Sequence, residues 1–194
     1  MDRKRIKFVT TNNGKFEEAV RWLHELDPSL VLEQAALDIP EIQSLDATAI
    51  GIHKAQSAWR VLQEPLLIDD GGIYLTRFNN FPGPLSKYVY EGLGLEGFWL
   101  LAQQDPRCYF LNVFIYKDTT DTHKIFEGRC AGTVQNPVHA DLGHAQLPFT
   151  KLLIPDGSTK SLAQMRGTEE EKKYHHRYHA LKNFVAWLKN TKEN

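Results

Sequence analysis

The sequence predicts a single α/β domain, because short apolar runs alternate with amphipathic segments of helical period along most of the chain. The apolar runs typical of buried strands cover residues 6–10, 30–34 and 65–68. The amphipathic segments predict helices over residues 15–26 and 48–62. With 194 residues, of which 42% are hydrophobic, the chain is long enough to bury a core.

The second half of the chain continues the alternation. It predicts a helix over residues 95–103 and two paired strands over residues 109–117 and 124–134. Residues 168–189 predict a final helix that is acidic at its start and apolar near its end. No repeat or low-complexity stretch divides the chain, so we expect one domain over residues 1–194.

Charge and cysteine content exclude several classes of protein. The formal net charge is −1, so the sequence carries no broad basic surface for nucleic acid or an anionic membrane. Cys108 and Cys130 lie far apart without metal-ligand spacing, which favours buried free thiols. The charged N-terminus precedes an apolar run too short for a signal peptide or a membrane span. We expect a cytoplasmic protein without nucleic-acid or membrane partners.

A predicted strand-to-helix junction at residues 8–15 carries groups that bind phosphate. Thr10 supplies a hydroxyl, Asn12 an amide and Lys15 a positive charge, beside the backbone N–H groups of a helix N-terminus. The spacing is not that of a Walker loop. Ordinary helix capping by Asn and Thr is the alternative interpretation.

Acidic residues after an apolar run are candidates for metal binding. Asp69 and Asp70 follow the run at residues 65–68, and carboxylates at the end of a buried strand suit Mg²⁺ and the activation of water. In an extended chain the two side chains would alternate between faces, and an Asp-Gly turn is the alternative. Glu41, in a proline-containing loop, and Lys54, in the second predicted helix, are in isolation ordinary exposed residues.

Taken together, these segments resemble the inosine triphosphate pyrophosphatase family, the Ham1-like enzymes of nucleotide-pool sanitation. The resemblance runs from Lys7 to about Trp187. It is carried by the order and spacing of residues 8–15 with Glu17-Glu18, residues 38–41, Lys54-Ala55, residues 68–72, residues 81–88, residues 126–132, residues 155–157, residues 163–165 and His176-Arg177.

The resemblance implies a nucleotide triphosphate as substrate. Thr10, Asn12 and Lys15 would hold the triphosphate, with help from Lys54 and Lys87. Lysines in such places neutralise the charge that builds up on departing pyrophosphate. The expected reaction cleaves the bond between the α and β phosphates and releases a monophosphate and pyrophosphate.

The resemblance also implies a Mg²⁺ site formed by Glu41, Asp69 and Asp70, with Asp70 as the general base that activates water. Neighbouring cations are expected to keep Asp70 ionised. His176 and Arg177 match the pair that contacts the six-position edge of a purine. There Arg177 would donate to a 6-keto group, whereas the 6-amino group of adenine is itself a donor.

The fold that the resemblance implies is an elongated, two-lobed α/β structure. A central mixed β-sheet is flanked by helices, and the active site lies in the cleft between the lobes. Members of the family usually form homodimers, so we expect a homodimer.

The chain departs from the family pattern in the segment near the base. Phe149 matches an aromatic residue that packs near the base, but Thr150 replaces the family's aspartate, so the pocket keeps a stacking face and loses a carboxylate. The family lysine before the His-Arg pair is out of register. We assign its contact to Lys172, with Lys173 or the loss of this contact as the alternatives. His175 stands where the family has serine.

These residues predict an enzyme that hydrolyses aberrant purine nucleotides such as ITP, XTP and dITP. The altered segment near the base leaves open a second hypothesis, the same reaction on a different modified nucleotide. A third is a non-catalytic nucleotide-binding protein on the same fold. Retention of Glu41, Asp69 and Asp70 together with the triphosphate residues favours an enzyme.

Overall fold

The structure is a computed structural model that describes residues 3–137 and 145–191. Within these ranges the chain forms strands and helices in nearly regular alternation. The strands are β1 Lys4–Val9, β2 Leu30–Ala35, β3 Leu66–Leu75, β4 Phe81–Gly83, β5 Arg107–Lys117, β6 Lys124–Val134 and β7 Leu153–Pro155. The helices are α1 Asn13–Leu26, α2 Ala47–Leu62, α3 Ser86–Ala102, α4 Leu162–Met165, α5 Glu169–Tyr174 and α6 His176–Asn190, with 3-10 turns at Thr76–Phe78 and Pro148–Lys151.

The strands form one mixed, seven-stranded sheet in the order β2-β1-β3-β5-β6-β7, and β4 pairs with β3. β1 is parallel to β2 and β3, whereas β5, β6 and β7 follow in antiparallel register. The predicted hairpin of β5 and β6 is confirmed. The sheet and its flanking helices confirm the predicted α/β class.

Helices cover both faces of the sheet where the parallel strands lie. On one face, Trp22 of α1 and Phe184 of α6 pack in a buried cluster with side chains of β1, β3 and β5. On the other face, Ala55 and Trp59 of α2 pack against a second cluster of buried strand residues. A third cluster lies farther along β3 and β5, beneath Phe98 of α3. Burial of this apolar surface is the main force that fixes the helices on the sheet.

One edge of β3 changes partner in the middle of the strand. β1 pairs with residues 66–68, β4 pairs with residues 73–75, and residues 69–72 lie between the two ladders. β5 runs along the other edge of the whole strand. Asp69 and Asp70 therefore lie just past the carboxyl end of β1, where ligands bind in α/β sheets.

β3 is longer than the sequence predicts. The prediction ended the strand at residue 68, with an Asp-Gly turn as the alternative for the residues that follow. The structure continues the strand to Leu75 because β5 pairs with it throughout. Gly71 permits this path, since its φ is 144° and a Cβ there would collide with the Leu111 carbonyl.

The predicted final helix is divided into two helices. His175 separates α5 from α6 with extended backbone angles, φ −72° and ψ 117°. Its side chain then caps α6, because Nδ1 accepts a hydrogen bond from the Arg177 backbone N–H at 3.3 Å. The helix predicted over residues 95–103 begins earlier, at Ser86, and Gly94 interrupts it with a φ of 66°. The short elements β4, β7 and α4 were not predicted.

Two sequence observations have structural counterparts. Cys108 and Cys130 are buried free thiols, as expected, and burial raises the pKa of Cys130 to about 12. Among the helices of the described ranges, none is both long and apolar enough to cross a membrane.

Candidate active site

A cleft of about 800 Å³ opens beside the gap in the pairing of β3. β3 and β5 contribute its floor, the start of α1 lies on one side, and residues 145–150 lie on another. The predicted site residues that line it are Thr10, Asn12, Lys15, Glu41, Lys54, Asp69, Asp70, Lys87, Phe149, His176 and Arg177. The structure thus brings together residues that the sequence spreads over most of the chain.

The start of α1 is capped by the residues predicted to bind phosphate. The Asn12 side-chain oxygen accepts a hydrogen bond from the Lys15 backbone N–H at 2.9 Å. The Thr10 hydroxyl accepts one from the Asn12 backbone N–H at 3.1 Å. The capping interpretation is therefore confirmed, and it leaves these residues at the cleft with a helix N-terminus beside them.

Asp69 lies beneath the cleft between two cations. Its carboxylate accepts hydrogen bonds from Lys15 Nζ at 2.8 Å and from Arg177 Nε at 2.6 Å. With its nitrogen turned toward Asp69, the Asn112 amide donates to both carboxylate oxygens at 3.0 and 3.2 Å. Burial opposes ionisation, but Arg177 and Lys15 outweigh it and hold the pKa of Asp69 below its ordinary value. Both oxygens of Asp69 are engaged by these cations and the Asn112 amide, and its role as a metal ligand stays a prediction.

Asp70 points to the opposite face of β3, toward α2. Lys54 Nζ donates to its carboxylate at 3.1 Å and to Glu41 at 2.7 Å. Burial raises the pKa of Asp70 above its ordinary value, although Lys54 and Lys15 oppose the rise. Burial acts against the neighbouring cations because Asp70 is only 7% exposed and loses hydration, and the expectation that the cations keep it ionised stays a prediction. A raised pKa suits a carboxylate that must accept a proton.

Glu41 and Asp70 are two of the predicted metal ligands, and they share one lysine. Their carboxylates converge on one ammonium group, that of Lys54, from a loop and from a strand. Glu41 is half exposed, with 49% of its side chain accessible, so it can exchange a lysine for a metal without unfolding a core. Two carboxylates at the mouth of a cleft are the oxygen donors that Mg²⁺ prefers.

Arg177 is buried and paired twice. Besides its contact with Asp69, its Nη1 donates to Glu18 Oε2 at 2.5 Å. Burial disfavours the charge, but the two carboxylates raise the pKa of Arg177. Arg177 therefore joins α6 to α1 and β3, a structural role that the sequence did not predict beside its expected contact with a base.

His176 belongs to a stack of rings at the cleft. Its ring lies 4.5 Å from those of Phe110 and His175, with interplanar angles of 11° and 14°. Trp22 meets the far side of His175 edge-on at 4.5 Å. Burial lowers the pKa of both histidines, so both are neutral. Within the described residues His176 Nδ1 is buried and has no hydrogen-bond partner.

The wall opposite the ring stack contains Phe149, which matches the family pattern, and Thr150, which departs from it. Phe149 packs edge-on against Phe98 and Tyr90, with ring centroids 4.8 and 5.9 Å apart. The Thr150 hydroxyl donates to the Leu147 carbonyl at 2.7 Å, so it closes the 3-10 turn. Phe149 keeps the aromatic side chain at this wall. Thr150, at the position of the family's carboxylate, makes a hydrogen bond within the wall instead.

Lys172 is the predicted site residue that the structure does not bring to the cleft. Its ammonium group lies 2.5 Å from Glu25 and 2.9 Å from Glu169, and these contacts raise the pKa of Lys172. The two carboxylates hold it on the outside of α5, so its assignment as a substrate contact does not fit. Lys173 does not line the cleft either. Its ammonium group lies 4.8 Å from the centroid of the Tyr174 ring.

Sequence reasoning gave no role to Glu18, Asn112 or Gln146, which contact the cleft or support it. Glu18 had an available signal, because three residues after Lys15 on a helix lie on the same face. Asn112 is opposite Gly71 in the β3–β5 register, which places it beside Asp69 but is visible only in the fold.

A second acidic group lies behind the cleft. Glu18, Glu171 and His175 bring ligand-type atoms within 4.8 Å of one another. Arg177 contacts Glu18 at 2.5 Å, and Arg21 contacts Glu171 at 2.9 Å. These arginines already supply the counter-charge, so the group is a buried network of ion pairs rather than a second metal centre.

The fold and the cleft define a class of α/β protein that places carboxylates, lysines and a helix N-terminus around one opening, as binding of a metal-associated polyphosphate requires. The model of the Ham1 family matches residues 6–187. The chain belongs to the Ham1 family. This confirms the resemblance on which the site residues were assigned.

The relatives agree with this membership, and a solved structure agrees with the fold. A dITP/XTP pyrophosphatase of Thermococcus kodakarensis is 32% identical over 187 residues, which cover 95% of this chain and 97% of the relative. One of Pyrococcus horikoshii is 34% identical over 190 residues, covering 95% and 97%. The structure of the Staphylococcus aureus Ham1 protein superposes with a TM-score of 0.77 at 19% identity, over 97% of this chain and all of that one.

Proposed function

We propose that this protein hydrolyses non-standard purine nucleoside triphosphates, dITP, XTP and ITP, to monophosphates and pyrophosphate. The observation that carries the proposal is the convergence of Asp70, Lys54 and Glu41 at a cleft that also holds the start of α1. The names of the relatives from Thermococcus and Pyrococcus support the same substrate class.

Substrate binding would begin at the start of α1. Thr10, Asn12 and Lys15 would contact the triphosphate, and Lys54 and Lys87 would add positive charge from α2 and α3. Lys87 is exposed, with 76% of its side chain accessible, so it can reach an entering nucleotide. Each amine neutralises charge that moves onto pyrophosphate as the bond breaks.

Asp70 would act as the general base. Its carboxylate would accept a proton from a water molecule while the water oxygen bonds to the α phosphorus, and the α–β anhydride bond would break with its electron pair leaving on the departing pyrophosphate. When bound by Glu41 and Asp70, Mg²⁺ would supply charge neutralisation and alignment of the phosphates. Asp69 would hold Lys15 and Arg177 in place from beneath the cleft.

The base would lie between the ring stack and the opposite wall. His176 would contact the purine edge through its unpaired Nδ1, and Phe149 would supply an aromatic face. Arg177 would read the 6-keto group while remaining paired to Asp69 and Glu18. Because Thr150 supplies no carboxylate, a different modified nucleotide is the second candidate substrate of the same reaction.

The first experiment measures pyrophosphate release with Mg²⁺ from ITP, XTP, dITP, the four standard triphosphates and several modified ones. Preferential turnover of ITP, XTP and dITP supports the proposal. Preference for another modified nucleotide retains the reaction and reassigns the substrate. Nucleotide binding without any release would favour the non-catalytic alternative.

The proposed assembly is a homodimer, as is usual in the family. Sedimentation of the purified chain tests this separately from activity. A single species of twice the 22.2 kDa chain mass is the expected result, and a monomer at micromolar concentration would contradict it.

A further inference from the structure

Gln146 spans the cleft and contacts the start of α1. Its side-chain oxygen accepts a hydrogen bond from the Gly14 backbone N–H at 3.1 Å. Its backbone carbonyl accepts one from the Asn12 side-chain nitrogen at 3.0 Å. These two contacts join the start of α1 to a segment more than 130 residues away in the chain, on the opposite wall of the cleft.

The donors in these contacts belong to the site proposed for triphosphate. Gly14 is in the first turn of α1, where backbone N–H groups have no partner within the helix. Asn12 is the capping residue of the same helix. Gln146 therefore occupies two donors that an entering phosphate would use, Gly14 through its uncharged carboxamide and Asn12 through its backbone carbonyl.

The segment that carries Gln146 is anchored behind it. Leu147 is buried, and the Thr150 hydroxyl and backbone N–H both donate to the Leu147 carbonyl, at 2.7 and 3.2 Å. Gln135 Nε2 also donates to the Lys151 carbonyl at 2.6 Å. Gln146 itself is exposed. The contacts that hold the 3-10 turn therefore do not involve the Gln146 side chain.

We propose that Gln146 is a built-in competitor of the substrate, which must displace its side chain from Gly14 before the triphosphate can bind fully. This inference rests on the proposed function, since it assigns the α1 donors to phosphate. The exchange favours substrate because an anionic phosphate accepts a stronger hydrogen bond from N–H than a neutral carboxamide does. Gln146 thereby weakens triphosphate affinity and limits occupancy by ligands that hold fewer phosphates.

Calorimetry with inorganic triphosphate tests the competition without involving a base or turnover. Gln146→Ala is expected to bind inorganic triphosphate roughly 2- to 10-fold more tightly, the range that one net hydrogen bond commands. Gln146→Glu is expected to bind it more weakly than the unchanged protein, because a carboxylate is a better partner for Gly14 and repels the ligand. Gln135→Ala is the matched control, since it removes a glutamine contact to the same segment without touching α1.

Amide hydrogen exchange of Gly14 in the ligand-free protein gives a second readout, independent of any nucleotide. Exchange is expected to be faster in Gln146→Ala and unchanged in Gln135→Ala. An unchanged Gly14 rate would overturn the proposal. So would weaker triphosphate binding by Gln146→Ala, which would make Gln146 a ligand of the phosphates instead.

The two proposals fail in different ways. If ITP is hydrolysed and Gln146→Ala leaves the affinity for inorganic triphosphate unchanged, the competition is refuted and the proposed function stands. If neither the unchanged protein nor the variant binds inorganic triphosphate or any nucleotide, both are refuted.

Discussion

At the residue scale, two adjacent aspartates occupy opposite environments. Asp69 is enclosed by Lys15 and Arg177, which lower its pKa, whereas burial raises the pKa of Asp70 despite one close lysine, Lys54. The strand alternation sends one side chain toward α1 and α6 and the other toward α2. Two chemically identical groups therefore receive different tasks from their position alone.

Substitution of each aspartate by asparagine should separate these tasks. Asp70→Asn removes the proposed base and should lower the rate of pyrophosphate release by at least about 100-fold, the scale of general-base catalysis. It should leave the thermal unfolding midpoint nearly unchanged. Release at the original rate would place the base elsewhere.

Asp69→Asn is the matched control and should act on stability. It leaves Lys15 and Arg177 without their shared counter-charge beneath the cleft, so the free energy of unfolding should fall by about 3–5 kcal/mol. Denaturant unfolding measures the loss. A variant as stable as the original chain would show that Glu18 alone balances Arg177.

At the scale of elements, the position of α6 depends on a close approach to β6. Gly128 faces α6, and a Cβ there would collide with the His176 carbonyl and lie 2.6 Å from the Ala180 nitrogen. α6 carries the His176 ring and the Arg177 guanidinium, which line the cleft. The absence of a side chain at Gly128 therefore allows α6, and with it His176 and Arg177, to lie close to β6.

Gly128→Ala should displace α6 from β6. The expected cost is at least about 1–3 kcal/mol of unfolding free energy, as for other overpacked sites, together with weaker discrimination between ITP and ATP. Gly92→Ala is the control, because nothing lies within 4 Å of a Cβ there and a helical alanine should be neutral or stabilising. Equal stability of the two variants would contradict the close packing.

The sequence predicted the elements whose side chains alternate clearly between core and solvent. α1, α2 and the β5–β6 hairpin follow directly from apolar spacing. The continuation of β3 was missed because Asp-Gly is common in turns, whereas here pairing with β5 overrides that preference. The break at His175 was missed because its neighbours all tolerate a helix, and only the packed ring stack and the cap of α6 fix it.

The candidate site was predictable as a set of residues but not as a set of contacts. Family resemblance assigned Asp69 to a metal, although the fold surrounds it with cations from two helices. Lys172 has the right charge near the right position, but two carboxylates hold it outside the cleft. Such outcomes depend on partners that lie far away in the chain, so local pattern cannot decide them.

At the scale of the whole molecule, buried ion pairs link the helices to the sheet behind the cleft. Arg177 connects α6 to both α1 and β3, and Arg21 connects α1 to Glu171 on α5. Removal of either partner of such a pair leaves a buried charge. The site and the global fold therefore share the same interactions.

Stability should fall in acid for this reason. A folded pKa held below the unfolded value of about 3.9 means that Asp69 contributes stability above that value, lost as pH falls through the lower folded pKa. Burial raises the pKa values of Glu18 and Asp70, so their opposite effect lies mainly above about pH 4, before Asp69 is protonated. Urea unfolding from about pH 4 to pH 2 measures the decline, and Asp69→Asn should show a shallower one. Parallel curves would exclude Asp69 as the cause.

The partner change along β3 also limits how this protein can vary in length. One residue inserted before Asp69 would shift the strand by one pleat and exchange the two aspartates between faces, so the proposed base would face Arg177 and its neighbour would face Lys54. No single side-chain substitution would exchange the two aspartates between faces in this way. Deletions and insertions should therefore abolish the site when they fall in residues 66–70 and be tolerated in the exposed turn at residues 118–123. That turn is the place to insert a peptide tag.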